Sequence, residues 1–195
     1  MTLNKSDLKV LTHRYIHISV ADQRLLLIEN NKILFDVMIA TAKNGVGEQS
    51  GSECTPRGWH KIRAKIGSDC PENTVFIGRR PTGELWSEKL ENEHPGRDWI
   101  LTRIMWLSGL QVGFNRSGTQ DTMRRYVYIH GCPDTIPMGV PDSHGCIRMR
   151  NSEVIQLFDM VEAGIAVFID EKSINEHSFD KDSLVEYRAD KENER

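Results

Sequence analysis

The run Ser143-His144-Gly145-Cys146-Ile147-Arg148, with Ile129-His130-Gly131 upstream, puts a thiol, two imidazoles and a glycine into one short stretch of chain. A thiol attacks carbonyl carbon as the thiolate, so a nucleophilic cysteine needs a neighbouring base or a locally positive environment to lower its pKa. Cys146 is the candidate nucleophile. His130 is the candidate base, because it closes the alternating run Tyr126-Val127-Tyr128-Ile129-His130, where a strand tip would present it. His144 reads either as a second imidazole of the site or as a structural one that holds the loop by hydrogen bonds. Gly145 permits a tight turn that would aim the amides of Gly145 and Cys146 at a developing oxyanion. Nucleophile, base and anion hole are the parts of an acyl-transfer site.

Two blander readings compete. Buried cysteines are commonly inert apolar residues, and Cys54 and Cys70 read that way or as loop residues. Cys146 differs from them in its flanks. His130-Gly131-Cys132 and His144-Gly145-Cys146 also repeat a His-x-Cys pattern, so four nitrogen and sulfur ligands could converge on zinc in a non-catalytic module. Structural zinc favours gaps of two to four residues between paired ligands, which these pairs lack, so no metal and no cofactor is expected.

The stretch from His130 to Ser143-His144-Gly145-Cys146-Ile147-Arg148-Met149 resembles the signature of the L,D-transpeptidase (YkuD) catalytic domain, and Thr55-Pro56-Arg57-Gly58-Trp59 resembles its upstream Thr-Pro-x-Gly element. The resemblance spans residues 13–170. It implies a mainly β, β-rich α+β fold, a sandwich or barrel with one helix after the catalytic cysteine. It also implies that Cys146 attacks the carbonyl of the L-centre of diaminopimelate in a peptidoglycan stem peptide, expels D-alanine, and passes the acyl group to water or an amine. His130 is then the base, and carbapenem-type β-lactams are expected to acylate the thiol. Such a donor carries carboxylates. Arg148 is expected to grip one, with Ser143 and Gly131 lining the same subsite and Arg103, Arg124 and Arg125 as weaker choices. Cys132 departs from the pattern and would offer a second, oxidisable thiol.

Composition suits one enzyme domain of 195 residues: 38% of them are apolar, and charge is mixed. The net charge of −3 leaves no basic stripe for nucleic acid. Residues Met1 to Val10 interleave Lys5, Asp7 and Lys9 with single apolar residues, and no stretch reaches the length of a membrane span. If Met1 is native, the expected compartment is the cytoplasm; if a leader was removed, it is the periplasm. A cytoplasmic member would meet muropeptides from wall turnover, which favours an L,D-carboxypeptidase of wall recycling over a crosslinking transpeptidase.

The elements that must hold these residues are mostly strands. Tyr15 to Val20, Arg24 to Ile28 and Ile33 to Ala40 read as a meander with a turn at Asn30-Asn31. Further strands are expected over Gly58 to Ile66, Thr74 to Ile77 and Ile100 to Leu107. One helix follows the cysteine, capped by Asn151 or Ser152, with Val154, Ile155, Leu157, Phe158 and Val161 as its apolar face; Gly164 ends it before a strand over Ile165 to Ile169. Residues 79–125 read as a lid over the site or as an ordinary hairpin packed by Trp86, Trp99 and Trp106. Residues 171–195 read as a charged tail, helical around Leu184 to Tyr187.

Overall fold

The computed structural model describes residues 13–176, so Met1 to Val10 and the Leu184 to Tyr187 segment lie outside the described residues. Alternation of apolar and polar residues yields strands wherever it was expected. β1 (Arg14–Ser19), β2 (Arg24–Glu29) and β3 (Lys32–Met38) form the meander, and the Asn30-Asn31 turn has both residues in the left-handed region, as tight hairpins require. β4 (Gly58–Ile66), β5 (Thr74–Ile77), β6 (Arg80–Leu85) and β7 (Ile100–Gly109) follow, then β8 (Tyr128–Gly131), β9 (Ile147–Met149) and β10 (Ala166–Asp170). Among the described residues there are two α-helices, α1 (Glu88–Glu93) and α2 (Asn151–Met160).

All ten strands join one mixed sheet in the order β3-β2-β1-β10-β4-β7-β5-β6, with β8 paired to β7 and β9 to β8. Two pairings are parallel, β1 with β10 and β8 with β9. A further antiparallel bridge joins Ala40, just past β3, to Arg148 of β9. This bridge links the β3 end of the path to the β8–β9 branch, so that part of the sheet closes around its contents. Those contents are the main core, in which Val154, Leu157 and Phe158 of α2 meet Ile16, Ile18, Leu25, Leu27, Ile62, Met105, Ile129, Ile147 and Val167 from the strands. A smaller cluster of Tyr15, Leu26, Ile28, Trp59 and Ala166 covers part of the opposite face.

Two expectations change. Residues 79–125 are not one excursion, because β7 is a central strand with partners on both edges, β4 and β5 along one and β8 along the other. Trp86 and Trp99 pack with Val75, Leu90 and Leu101 as core. The helix after the cysteine takes its N-cap at Arg150 without a side-chain cap. Asn151 is instead turned inward: its Oδ1 accepts from Thr102 Oγ1 at 2.6 Å and its Nδ2 donates to the Cys132 carbonyl at 3.1 Å. Thr102 sits at φ +69 where the β7·β8 register shifts, so a bulge delivers its hydroxyl to the helix start.

His60 of β4 shows what burial does to an imidazole here. Its Nδ1 donates to the Gly58 carbonyl at 2.9 Å, its Nε2 lies 3.1 Å from Thr122 Oγ1, and burial pulls its pKa down to about 4. In the unfolded chain the ring titrates near 6.5. Between these values the unfolded chain binds more protons, so the contribution of neutral His60 is complete above pH 6.5 and is lost as pH falls towards 4. Urea denaturation at pH 7 and pH 4.5 is expected to show a loss of about 2.5 kcal/mol per buried imidazole across that window. His60→Gln should remove part of the slope; an unchanged slope in that variant would mean His60 is not the group that titrates.

Candidate active site

The site is built on the parallel pair β8 and β9. Its register sets Ile129 beside Ile147 and His130 beside Arg148, which brings Cys146 alongside Tyr128. The Tyr128 amide donates to Cys146 Sγ at 3.4 Å, and the thiol donates to the Tyr126 carbonyl at 3.6 Å. The sulfur is half-buried and packs with Phe76, Ile104 and Tyr128. Burial pushes its pKa up to about 12; the Tyr128 amide, Arg148 and Arg125 oppose the rise without cancelling it.

His130 lies two residues beyond Tyr128, on the same side of β8. Its Nδ1 bonds the Gly131 carbonyl at 2.8 Å. A carbonyl can only accept, so Nδ1 carries the proton and Nε2 keeps a free lone pair. Burial pulls this imidazole down to about 4, with Asp98 acting in the opposite direction. The resting site is therefore a neutral thiol and a neutral imidazole. The depressed thiol pKa expected from the sequence is absent, because burial raises the thiol instead.

A second set of bonds fixes the cysteine loop. Residues Ala40 to Lys43 run against it: Ala40 and Arg148 exchange both backbone bonds, Ser143 N–H donates to the Thr41 carbonyl, and Lys43 N–H to the Ser143 carbonyl. Thr55 ties both segments to its own, accepting from the Ala42 amide at 3.0 Å and donating to the Gly145 carbonyl at 3.2 Å. Gly145 stands at φ +121, a conformation that disfavours any side chain.

The structure reassigns several expected roles. The Gly145 amide donates to Ser143 Oγ at 3.2 Å, so it is engaged in the loop; the Cys146 amide has no acceptor among the described residues and is the free donor for an oxyanion. Ser143 is buried, with its hydroxyl donating to the Cys146 carbonyl, so it shapes the turn and is not a substrate group. Gly131 is required sterically. A Cβ there would stand 2.3 Å from Asn151 Oδ1 and 2.9 Å from the Leu101 carbonyl. Arg148, expected to hold a substrate carboxylate, is nearly sealed and forked between Asp98 at 2.7 Å and Asp142 at 2.8 Å, so its guanidinium is already occupied. His144 is exposed and its ring bonds none of the described residues, so it neither holds the loop nor touches the thiol. Arg103 donates to the Cys70 and Thr102 carbonyls. Arg124 contributes its backbone amide to Asp121. Arg125 donates to the carbonyls of Gly47, Glu48 and Cys54.

The zinc tetrad does not assemble. Cys132 is fully buried, bonds the Met149 carbonyl at 3.4 Å, and has its pKa raised by burial to about 12. It is an inert core thiol, not the oxidisable one expected. Among the described residues no three His, Cys, Asp or Glu side chains close on one point.

Asp98, Asp142 and Thr55 complete the site without having been assigned to it from the sequence. Asp98 and Asp142 carry no motif of their own. Thr55 belonged to a recognisable element but gave no sign of what its hydroxyl would join.

The strand-rich closed sheet with a cysteine and a histidine on a parallel pair at one end defines a class of protein. The chain matches the model of the YkuD L,D-transpeptidase catalytic domain over residues 13–169 and belongs to that family. A putative L,D-transpeptidase of Bacillus subtilis, YqjB, is 26% identical over 173 residues, which are 88% of this chain and 80% of that protein. Among solved structures, a mutant of the Enterococcus faecium L,D-transpeptidase aligns at TM-score 0.52 and 18% identity, and Bdellovibrio bacteriovorus Bd1075 at TM-score 0.53 and 13% identity. They cover 84% and 93% of this chain, whereas the chain spans about half the length of each, 52% and 57%.

The neutral resting pair has a kinetic signature. Alkylation of Cys146 by iodoacetamide is expected to accelerate about tenfold per pH unit from pH 6 to 9, because the small thiolate fraction grows in that proportion. A plateau across pH 5 to 8 would mean that a thiolate and imidazolium pair pre-exists. A second outcome concerns Arg148→Ala, which leaves Asp98 and Asp142 facing each other without a cation. A loss of about 2 kcal/mol in denaturation is expected, moderated because both carboxylates are half exposed.

Proposed function

We propose that the protein is a cysteine acyltransferase acting on peptidoglycan stem peptides, and that it cleaves the bond between the L-centre of diaminopimelate and D-alanine with water as acceptor, as an L,D-carboxypeptidase. The observation that carries the reading is the parallel register that sets Cys146 beside Tyr128 with His130 two residues along, its Nδ1 locked on the Gly131 carbonyl. That lock leaves Nε2 as a base of fixed tautomer, the role an acyl-transfer histidine needs.

The steps follow from these groups. On substrate binding the thiol proton leaves the Tyr126 carbonyl for His130 Nε2 as the sulfur attacks, so charge separates only when the donor carbonyl is there to receive the electron pair. The Cys146 amide meets the oxyanion. His130 then protonates the departing amine of D-alanine, and the thioester remains. In the second half His130 removes a proton from the acceptor.

Water is the favoured acceptor on electrostatic grounds. An amine acceptor is cationic at neutral pH and calls for a carboxylate to seat it, and the carboxylates that act on His130 and hold its neighbour, Asp98 and Asp142, are both engaged by Arg148. Water needs only the base. Crosslinking by an amine acceptor is the alternative, and the same experiment separates the two.

Mass spectrometry of a stem tetrapeptide incubated with the protein should show tripeptide and free D-alanine without added amine. Crosslinked dimers as the main product would replace the carboxypeptidase reading with the transpeptidase one. Cys146→Ala should lose several orders of magnitude in turnover with its fold intact. A carbapenem should add once to the wild-type chain and not to that variant; an adduct that survives the substitution would place the nucleophile elsewhere.

A further inference from the structure

With Arg148 withdrawn from substrate binding, the site as described so far has no cation for the donor's carboxylates. The β5–β6 hairpin supplies one. Its two-residue turn is Gly78-Arg79, with both residues in the left-handed region at φ +55 and +67. Glycine and asparagine suit that conformation; an arginine there is held against a local cost of order 1 kcal/mol.

What holds it is a shelf of aromatic rings beside the nucleophile. The Arg79 guanidinium lies 4.4 Å from the centroid of Trp106 and 5.0 Å from that of Tyr126, and its Nη1 donates to Tyr128 Oη at 2.9 Å. Trp106 and Tyr126 are themselves stacked, 6.3 Å between centroids, and Arg63 approaches Trp106 from 5.6 Å. Tyr126 and Tyr128 are the two residues whose backbone groups contact the Cys146 thiol. The shelf and the nucleophile therefore share two residues.

The charge on this shelf is uncompensated. Arg14, Arg24, Arg57, Arg97, Arg148 and Arg150 each pair with a carboxylate. Arg79 has no such pair among the described residues, and its Nε and Nη2 have no acceptor there, so one bidentate edge of the fork is open. Arg125 differs, since its fork is filled by backbone carbonyls.

We propose that Arg79, held by Trp106, Tyr126 and Tyr128, binds the side-chain carboxylate of the acyl-donor residue and so selects donors that carry a free acid at that place. This rests on the stem-peptide reading above. Tyr128 stands between Arg79 and Cys146, which suits a carboxylate several bonds away from the scissile carbonyl. The open guanidinium edge matches a carboxylate in two parallel hydrogen bonds, and the ring shelf fixes its plane in advance.

The test compares two tetrapeptides, one with the donor side-chain acid free and one with it as the carboxamide, on the wild type, Arg79→Asn and Arg79→Lys, with D-alanine release as readout. Asparagine tolerates the left-handed turn, so this variant keeps the hairpin conformation. In the wild type the amidated peptide is expected to have a KM about tenfold higher or more, with kcat changed little. Arg79→Asn should show that higher KM for both peptides and cease to discriminate, and Arg79→Lys should recover part of the preference. Cys146 alkylation by uncharged iodoacetamide should stay within about twofold in both variants, since no charged substrate is involved. Equal KM values for acid and amide in the wild type, or an unchanged preference in Arg79→Asn, would overturn the proposal while leaving the acyl-transfer reading in place. No D-alanine from either peptide with the wild type would overturn both. The wild-type comparison needs no variant to fold.

Discussion

A three-residue strand sets the geometry of everything at this site. β9 runs parallel to β8 on one edge and is bridged through Arg148 to Ala40 on the other, so Ile147 to Met149 are gripped from both sides. Parallel neighbours cannot be joined by a tight turn. The chain between them, from Cys132 to Cys146, is therefore a long loop that must be restrained by other means. Thr41, Lys43 and Thr55 supply backbone and hydroxyl bonds to it, and Arg148 reaches back to Asp142 within it. A shift of β9 by one residue would turn Cys146 to the opposite face and bury Ile147 where the thiol now stands.

Burial decides the resting protonation states. Both partners are drawn towards neutrality, the thiol upward and the imidazole downward. A preformed ion pair at this place would have to be solvated by groups that are already committed: Arg148 to its two carboxylates, Arg125 to carbonyls, and the Gly145 amide to Ser143. The arrangement keeps His130 Nε2 as a free lone pair of fixed tautomer. Gly131 contributes twice, by its carbonyl to His130 and by its missing side chain to Asn151.

Much of this was legible in the sequence because period-2 alternation and turn residues are local signals. The meander, β4, β5, β7 and the helix after the cysteine all follow from them, as does the placement of His130 at a strand end. What could not be read were the pairings that span the chain. Thr102 at its bulge carries no local mark, and neither does the bond that turns Asn151 from a cap into an inward tie. Arg148 looked like a substrate grip because its two carboxylates, Asp98 and Asp142, sit fifty and six residues away in sequence, and only the fold brings both to it. The stretch 79–125 misled for a related reason: its length suggested an appendage, yet β7 inside it is the strand on which β4, β5 and β8 all pair.

The Tyr128 amide donates to the Cys146 sulfur, the nucleophile of the proposed reaction. Conversion of the thiol to a thioester would draw the sulfur lone pairs into the acyl group and weaken this bond without moving the strand. The amide of Tyr128 is thus a native spectroscopic gauge of the reaction cycle. In the proposed cycle its nitrogen-15 and proton resonances would register free, acylated and deacylated states in turn, from the first residue of β8.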